Sequence, residues 1–313
     1  IEELAPFVIG ADPLAHEAIF SRLYAMTRQA PGGINAQAIA AIENALFDIK
    51  GKALGVPVYT LLGGPVRTEL PLYWSHCGTY RMHEATAKMV GKPVLKCVED
   101  LVALGAEVSD AGFNALKCNM YLFDEPARVH SPGFARSAGV HGAPELNAEP
   151  ELLRALSAQM AALREGAGEE MGLLLDMNFN FKTEGYLQVM RTLAPFNLFW
   201  YELDLFNPEA LAYIRQQANL PIASCESLYG TREFRRYFEK QAMDVAIVDV
   251  PWNGIWQSSK IAAMADAYEV NIAPHNFYGH LCTMISAHFC ASIPNFRVME
   301  MDNDDVPWKD ELV

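Results

Sequence analysis

The chain has 313 residues, 51% of them apolar, and a formal net charge of −14. No stretch approaches the roughly 18 uncharged apolar residues of a membrane span, and the N-terminus lacks the basic-then-apolar pattern of a signal peptide. No basic stripe is available to neutralise phosphates, which argues against nucleic acid or an anionic membrane as partner.

Cysteines Cys77, Cys97, Cys118, Cys225, Cys282 and Cys290 are dispersed without a CxxC. They read as reduced core residues of a cytoplasmic protein, not as a disulfide frame or zinc site. In chain order the first clear element is NAQAIAAIENALFDIKGKALG, where Ile39, Ile42, Leu46, Ile49 and Ala53 recur at helical spacing. Asn35 is its expected N-cap and Gly55 its stop. The turn-rich LLGGPVRTELP follows, with Gly63, Gly64 and Pro65 marking a boundary. Residues 1–65 and 66–313 are therefore expected to be separate domains.

Beyond that boundary, short apolar runs alternate with amphipathic helices. The predicted strands are 71–75, 114–118, 172–175, 198–201, 222–225, 245–248, 271–273 and 296–299. A strand–helix alternation repeated about eight times predicts a parallel sheet closed by helices, and a barrel of that type takes about 250 residues. The irregular stretch from Val129 to Pro150 is too long for a plain connection and has the length of a lid or a partly disordered loop.

The ends of these strands carry charge. LLLD stops on Asp176, FWYE on Glu202, IASCE on Glu226, VAIVD on Asp249, NIAPH on His275 and FRVME on Glu300. The intervals are 26, 24, 23, 26 and 25 residues, about one βα unit each. In a parallel barrel these ends lie on one face, where active sites are built. A single acidic residue after a strand is usually a helix cap or a solvated loop residue. Carboxylates packed together repel and raise one another's pKa, so a cluster calls for a cation. Asp176, Glu202 and Glu226, from three consecutive strands, form a hard-oxygen set that suits Mg²⁺. Asp249 and His275, from neighbouring strands, suit a carboxylate–imidazole pair, the arrangement of a general base. Glu300 could be a spare ligand, an orienting residue or a protonated donor.

With AIAAIENALFDIKGKALGVPVYTLLGG before them, these residues resemble the enolase superfamily, in its mandelate racemase/muconate lactonizing enzyme-like branch. The resemblance covers nearly the whole chain. It implies a (β/α)7β TIM-like barrel and an incomplete α+β capping domain, since the chain starts inside the cap and stops soon after the eighth strand. It also implies Mg²⁺ on Asp176, Glu202 and Glu226, proton abstraction next to a substrate carboxylate by a His275–Asp249 dyad, and Glu300 as the acid that hydrogen-bonds that carboxylate. Lys117 matches the first lysine of the branch's Lys-x-Lys. Asn119 stands where the second, a base on the opposite face, usually does. An amide cannot take a proton, so one-base chemistry is expected and racemisation disfavoured.

The expected reaction is dehydration of a sugar acid to a 2-keto-3-deoxy acid, with His275 returning its proton to the leaving hydroxyl. The polar set His76, Tyr80, Arg81, Asn119, Tyr121, Asn178, Asn180, Trp252 and Asn253 suits a polyhydroxylated substrate. The alternatives are a racemase, epimerase or cycloisomerase of the same superfamily, or a metal-binding barrel without turnover. The resemblance also implies a homo-oligomer.

Overall fold

Eight strands, mostly buried, pair in parallel and alternate with helices that cover them. The computed structural model describes residues 1–134 and 142–312. The elements run α1 (His16–Thr27), α2 (Gly33–Leu54), α3 (Val58–Leu61), β1 (Leu72–Ser75), α4 (Glu84–Met89), α5 (Asp100–Asp110), β2 (Ala115–Cys118), β3 (Tyr121–Leu122) and β4 (Arg128–Val129). They continue with α6 (Pro150–Ala167), β5 (Gly172–Asp176), α7 (Thr183–Leu193), β6 (Trp200–Glu202), α8 (Pro208–Gln217), β7 (Ile222–Ser224), α9 (Gly230–Phe238), β8 (Val245–Asp249), α10 (Val250–Asn253), α11 (Ile255–Ala267), β9 (Asn271–His275), α12 (His280–Ser292) and β10 (Met299–Asp302).

The large sheet has the order β10-β1-β2-β5-β6-β7-β8-β9, chain order with the last strand beside the first. At its far end Ile272 of β9 bridges to Phe296, just before β10. This is the expected (β/α)7β barrel, nearly closed. Its strands are buried along most of their length because helices cover them, so GLLLD and VAIVD read as continuous apolar runs rather than alternating ones. Before β1 the described residues are helical, the part of a capping region that the sequence predicts. Among the described residues no helix is long and apolar enough to cross a membrane.

Two details of the strands depart from expectation. The last strand is Met299–Asp302, not 296–299: the Phe296 segment is used by the bridge to Ile272, and the Arg297 amide donates to the Ile272 carbonyl at 2.9 Å. A two-stranded antiparallel ribbon, β3 with β4, follows β2. Of the long irregular stretch, positions 135–141 lie outside the described residues. Of the cysteines, Cys77, Cys118, Cys225 and Cys290 are buried, Cys282 is half-buried and Cys97 is exposed.

By internal packing the chain divides into two compact units: Ile1–Leu70, Cys225–Glu239 and Ala246–Met299 form the first, and Pro71–Ser224, Lys240–Val245 and Glu300–Val313 the second. In the second, α5 packs on α6, and parallel registers run from β1 through β7. In the first, α1 and α2 share an apolar core of Ile19, Leu23, Ile39 and Leu46. Helix α2 starts one residue after Gly32, not after Asn35, whose side chain instead donates to the Ala30 carbonyl at 3.0 Å. It ends as predicted at Gly55, which takes a left-handed φ of 67°.

The buried stripe of α2 includes Glu43, only 2% exposed. Its Oε1 accepts the backbone N–H groups of Trp256 (3.0 Å) and Gln257 (3.2 Å), and its Oε2 accepts the Gln257 side-chain amide at 3.3 Å. Asn44 Oδ1 takes the Ile255 N–H at 2.9 Å. Two side chains of α2 thus cap α11, satisfying first-turn amides that a helix cannot satisfy itself. Gly254 is required there, because a Cβ would meet Glu43 Oε1 at 2.2 Å and φ is +86°.

Burial pushes the Glu43 carboxyl up from 4.5 to about 7, against the pull of the Gln257 and Trp256 hydrogen bonds. With the folded value raised, its contribution to stability is full below about pH 4.5 and is lost as pH rises through about 7. Wild type should therefore lose roughly 3 kcal/mol relative to Glu43→Gln between those limits, measured by urea unfolding. A wild-type-minus-variant difference independent of pH would contradict this. Glu43→Ala, which orphans the amides, should cost about 1–3 kcal/mol.

Candidate active site

Strands β5 and β6 end level with each other: Asp176 and Glu202 are register partners, each the last residue of its strand. β7 stops at Ser224, and Cys225 then turns with φ +90°, so Glu226 stands two residues beyond the strand. Asp176 and Glu202 in the second unit and Glu226 in the first each offer a carboxylate oxygen as a candidate metal ligand. Asp176 and Glu202 are buried.

Lys117, third residue of β2 and 2% exposed, supplies a positive charge to this cluster. Its Nζ lies 2.6 Å from Glu202 Oε1, 2.9 Å from Glu300 Oε1 and 3.7 Å from Asp176 Oδ2. Burial opposes the charge on Lys117, but Glu202, Glu300 and Asp176 together hold its pKa well above the usual lysine value. Burial pushes the Glu202 carboxyl up, and Asp176 and Glu300 add to that against the pull of Lys117. Its other oxygen, Oε2, accepts the Trp200 indole N–H at 3.0 Å. Glu300, fully buried in β10, accepts a short hydrogen bond from the Ser75 hydroxyl at the end of β1. One ammonium cannot balance the whole carboxylate set. The donors are all hard oxygens with no thiolate or imidazole among them, a set that fits a hard divalent cation such as Mg²⁺.

In the first unit, His275 closes β9 and Asp249 closes β8. His275 Nδ1 is 2.7 Å from Asp249 Oδ2. The same oxygen accepts the Tyr278 hydroxyl at 2.5 Å, and Oδ1 accepts the Trp252 backbone N–H at 2.7 Å. Fully buried and triply hydrogen-bonded, Asp249 fixes the orientation of the ring. The Trp252 ring packs edge-on to His275 at 5.6 Å. His275 Nε2, on the opposite edge of the ring, is 3.7 Å from Glu226 Oε2.

The polar residues predicted to meet substrate sort differently. Asn119 accepts from the Thr79 hydroxyl at 2.7 Å and its amide is 3.4 Å from Asn178 Oδ1. Asn178, at φ 41°, gives its backbone N–H to Asp176 Oδ1 at 2.9 Å and so steadies that carboxylate. His76 Nδ1 lies 3.6 Å from Asp302 Oδ2. Arg81 and Tyr121 are corrections. Arg81, 1% exposed, spends its guanidinium on Asp304 and Glu107. Tyr121 is fully buried and donates to the Cys77 carbonyl at 2.6 Å. Both tie loops together; neither is turned to a ligand.

Sequence reasoning missed Ser75, Tyr278 and Asp302. The first two stand near noted residues, in YWSH and PHNFYG, and the i, i+2 spacing of Glu300 and Asp302 was a usable strand signal.

Residues 1–63 match the mandelate racemase/muconate lactonizing enzyme N-terminal domain, and residues 100–313 match the enolase C-terminal domain-like family. A D-xylonate dehydratase of Haloferax volcanii is 27% identical over 319 residues, covering 100% of this chain and 71% of its own. A D-galactonate dehydratase of Pectobacterium atrosepticum is 30% identical over 282 residues, covering 88% of this chain and 63% of its own. The chain thus spans between 63% and 71% of the length of these relatives. Among solved structures, a Burkholderia xenovorans protein provisionally named an L-alanine-DL-glutamate epimerase, bound to magnesium and fumarate, is 49% identical with a TM-score of 0.94 over 99% of this chain and 76% of its own. A Salmonella enterica protein provisionally named a dehydratase is 26% identical, with a TM-score of 0.88 over 98% of this chain and 75% of its own. Strand-end carboxylates, a histidine–aspartate dyad and these matches agree: the chain belongs to the enolase superfamily, in its mandelate racemase/muconate lactonizing enzyme branch.

Proposed function

We propose that the chain, read as a partial cap (1–65) and a barrel (66–313), is a Mg²⁺-dependent hydro-lyase. It removes the proton α to a carboxylate of a sugar-derived acid and expels the β-hydroxyl, giving a 2-keto-3-deoxy acid. The observation that carries this reading is the His275–Asp249 pair. Its Nδ1 is held by a buried carboxylate and its Nε2 lies 3.7 Å from Glu226, a member of the candidate metal-ligand set. A base is thus built beside the place where a bound carboxylate would be polarised.

Asp176, Glu202 and Glu226 would hold the Mg²⁺. When bound it supplies Lewis-acid stabilisation of negative charge developing on the substrate carboxylate, worth several kcal/mol. His275 takes the α-proton through Nε2, and the resulting imidazolium is stabilised by Asp249, itself held by Tyr278 and Trp252. Lys117 and Glu300 present a cation and a hydrogen-bonding acid to the substrate carboxylate. The electron pair freed from the C–H bond then breaks the β C–O bond. The hydroxyl leaves as water once protonated, and the enol tautomerises to the ketone. Dehydratases among the relatives favour this outcome.

An epimerase shares the first half of this sequence, and the name of the 49% identical Burkholderia protein favours it. Against it stands Asn119, which puts no second base on β2 and whose amide is spent on Thr79 and Asn178.

His275→Asn keeps size but cannot accept a proton. It should lower both α-proton exchange in D₂O and keto-acid release by about 10²-fold or more. Wild-type exchange in that variant would move the base elsewhere, with Lys117 the first suspect. Mg²⁺ should raise the melting temperature of the wild type, and Glu226→Gln should lose both that shift and metal-dependent turnover. Full activity in Glu226→Gln, or in chelator-treated protein, would refute the metal assignment. Lys117→Met should depress activity and also cost about 3 kcal/mol or more of stability, because it leaves buried carboxylates without their counter-charge.

A further inference from the structure

We infer that His76, paired with Asp302, is a second acid–base residue of this site: the general acid that protonates the departing β-hydroxyl, in place of His275 returning its own proton. The inference rests on the dehydratase reading.

The placement follows from strand geometry. Side chains two apart on a strand share a face, so Asp302 lies on the face of β10 that carries Glu300, one step nearer the strand's C-terminal end. That end is where barrel active sites are built. On β1, Ser75 reaches Glu300, and His76 is the next residue. Its φ of 48° breaks the strand's alternation and allows its ring to approach Asp302, with Nδ1 3.6 Å from Oδ2. Non-glycine residues seldom adopt this conformation, and such strain recurs at functional sites.

Asp302 is 4% exposed. Its Oδ2 also accepts the Tyr80 hydroxyl at 2.9 Å, whereas its buried Oδ1 has no hydrogen-bond partner among the described residues. Oδ2 is the oxygen nearer the ring, and this buried carboxylate orients the Nδ1 edge of the imidazole. Burial also raises the Asp302 pKa, against the opposing effect of His76. His76 connects to the metal-ligand cluster by short steps. Its Nδ1 lies 3.4 Å from Ser75 Oγ, Ser75 donates to Glu300, and Glu300 meets Lys117 at 2.9 Å. A substrate whose carboxylate is engaged by Lys117 and Glu300 would therefore have its neighbouring carbons near His76. The imidazole is about one-fifth exposed, so it can be reprotonated from solvent after each turnover.

The step balances without a co-reactant. The His76 imidazolium gives its proton to the β-oxygen as the C–O bond breaks. Water leaves, and neutral His76 is restored by a solvent proton. By contrast, Asp249 holds the His275 imidazolium with a triply hydrogen-bonded carboxylate, which opposes surrender of its proton.

The test separates the two half-reactions, using aldonic and aldaric acids on which the wild type releases keto acid. In His76→Gln, keto-acid release should fall by about 10²-fold or more, while α-proton exchange in D₂O stays within about threefold of wild type. Asp302→Asn should shift the same ratio in the same direction. A substrate with fluoride in place of the β-hydroxyl needs no proton on its leaving group, so it should restore elimination in His76→Gln. That rescue also shows that the variant is folded. Unchanged dehydration in His76→Gln overturns the assignment alone. Parallel loss of exchange and elimination without fluoride rescue overturns it in favour of a binding or structural role. A wild type that exchanges the α-proton but releases no keto acid from any acid tested overturns the dehydratase reading and this assignment with it.

Discussion

The second unit depends on one buried ammonium. Lys117 is almost wholly removed from water, which would be prohibitive for an isolated charge. What retains it is three carboxylates within 3.7 Å, and what retains them is Lys117. The compensation is partial in the direction that matters for function. One positive charge among Asp176, Glu202 and Glu300 leaves the group acidic. The apolar strands fix where these groups stand, because β5 and β6 run in register to their last residues. The cluster is therefore an electrostatic debt built into rigid elements, the condition for binding a cation with little reorganisation.

The first unit solves a different problem, that of holding an imidazole in one tautomer. Asp249 can do this because its own lone pairs are occupied by the Tyr278 hydroxyl and the Trp252 amide as well as by His275. The chain just after Asp249 is short, and it is held at its far end by a neighbouring helix. Glu43 and Asn44 take the first amides of α11, while Asn253 bonds back to the carbonyls of Asp249 and Leu228. A run of α2 that looks like helix and nothing more in sequence thus stabilises the turn that carries Asp249, the partner of His275. The cost is a desolvated carboxylate at Glu43, offset by three donors.

Much of this was legible because strands in a parallel barrel announce themselves as apolar runs, and the residue after the run is where the chain meets the active face. Asp176, Glu202, Asp249 and His275 were found in this way, each the last residue of its strand. The eighth strand misled because its end is polar by design. In Met299–Asp302 the alternate side chains face β1 and the cluster instead of apolar helices, so the text looks like a loop. Ser75 and Asp302 were missed for the same reason: their partners are some 225 residues away in sequence, and no local pattern encodes such pairs. Arg81 shows the opposite error. A charged residue just past a strand is not thereby facing substrate, and its guanidinium is consumed by Glu107 and Asp304.

The chemistry turns on what stands two residues after Lys117. A second lysine there would bring another amine beside the first, able to act as a base on that side when it is deprotonated. Asn119 removes the charge and binds its neighbours through Thr79 and Asn178, so the β2 end becomes a rigid polar wall with one cation. With no base offered from β2, stereochemical inversion at the α-carbon has no second proton carrier there. In the proposed reaction the intermediate instead expels a β-substituent. That step requires an acid matched to oxygen, and the titratable side chain that β1 and β10 place beside Glu300 is an imidazole on a buried carboxylate. Under the proposed dehydratase function, Asn119 two residues after Lys117 and the pairing of His76 with Asp302 support the same reading, completion of an elimination rather than return of a proton to carbon.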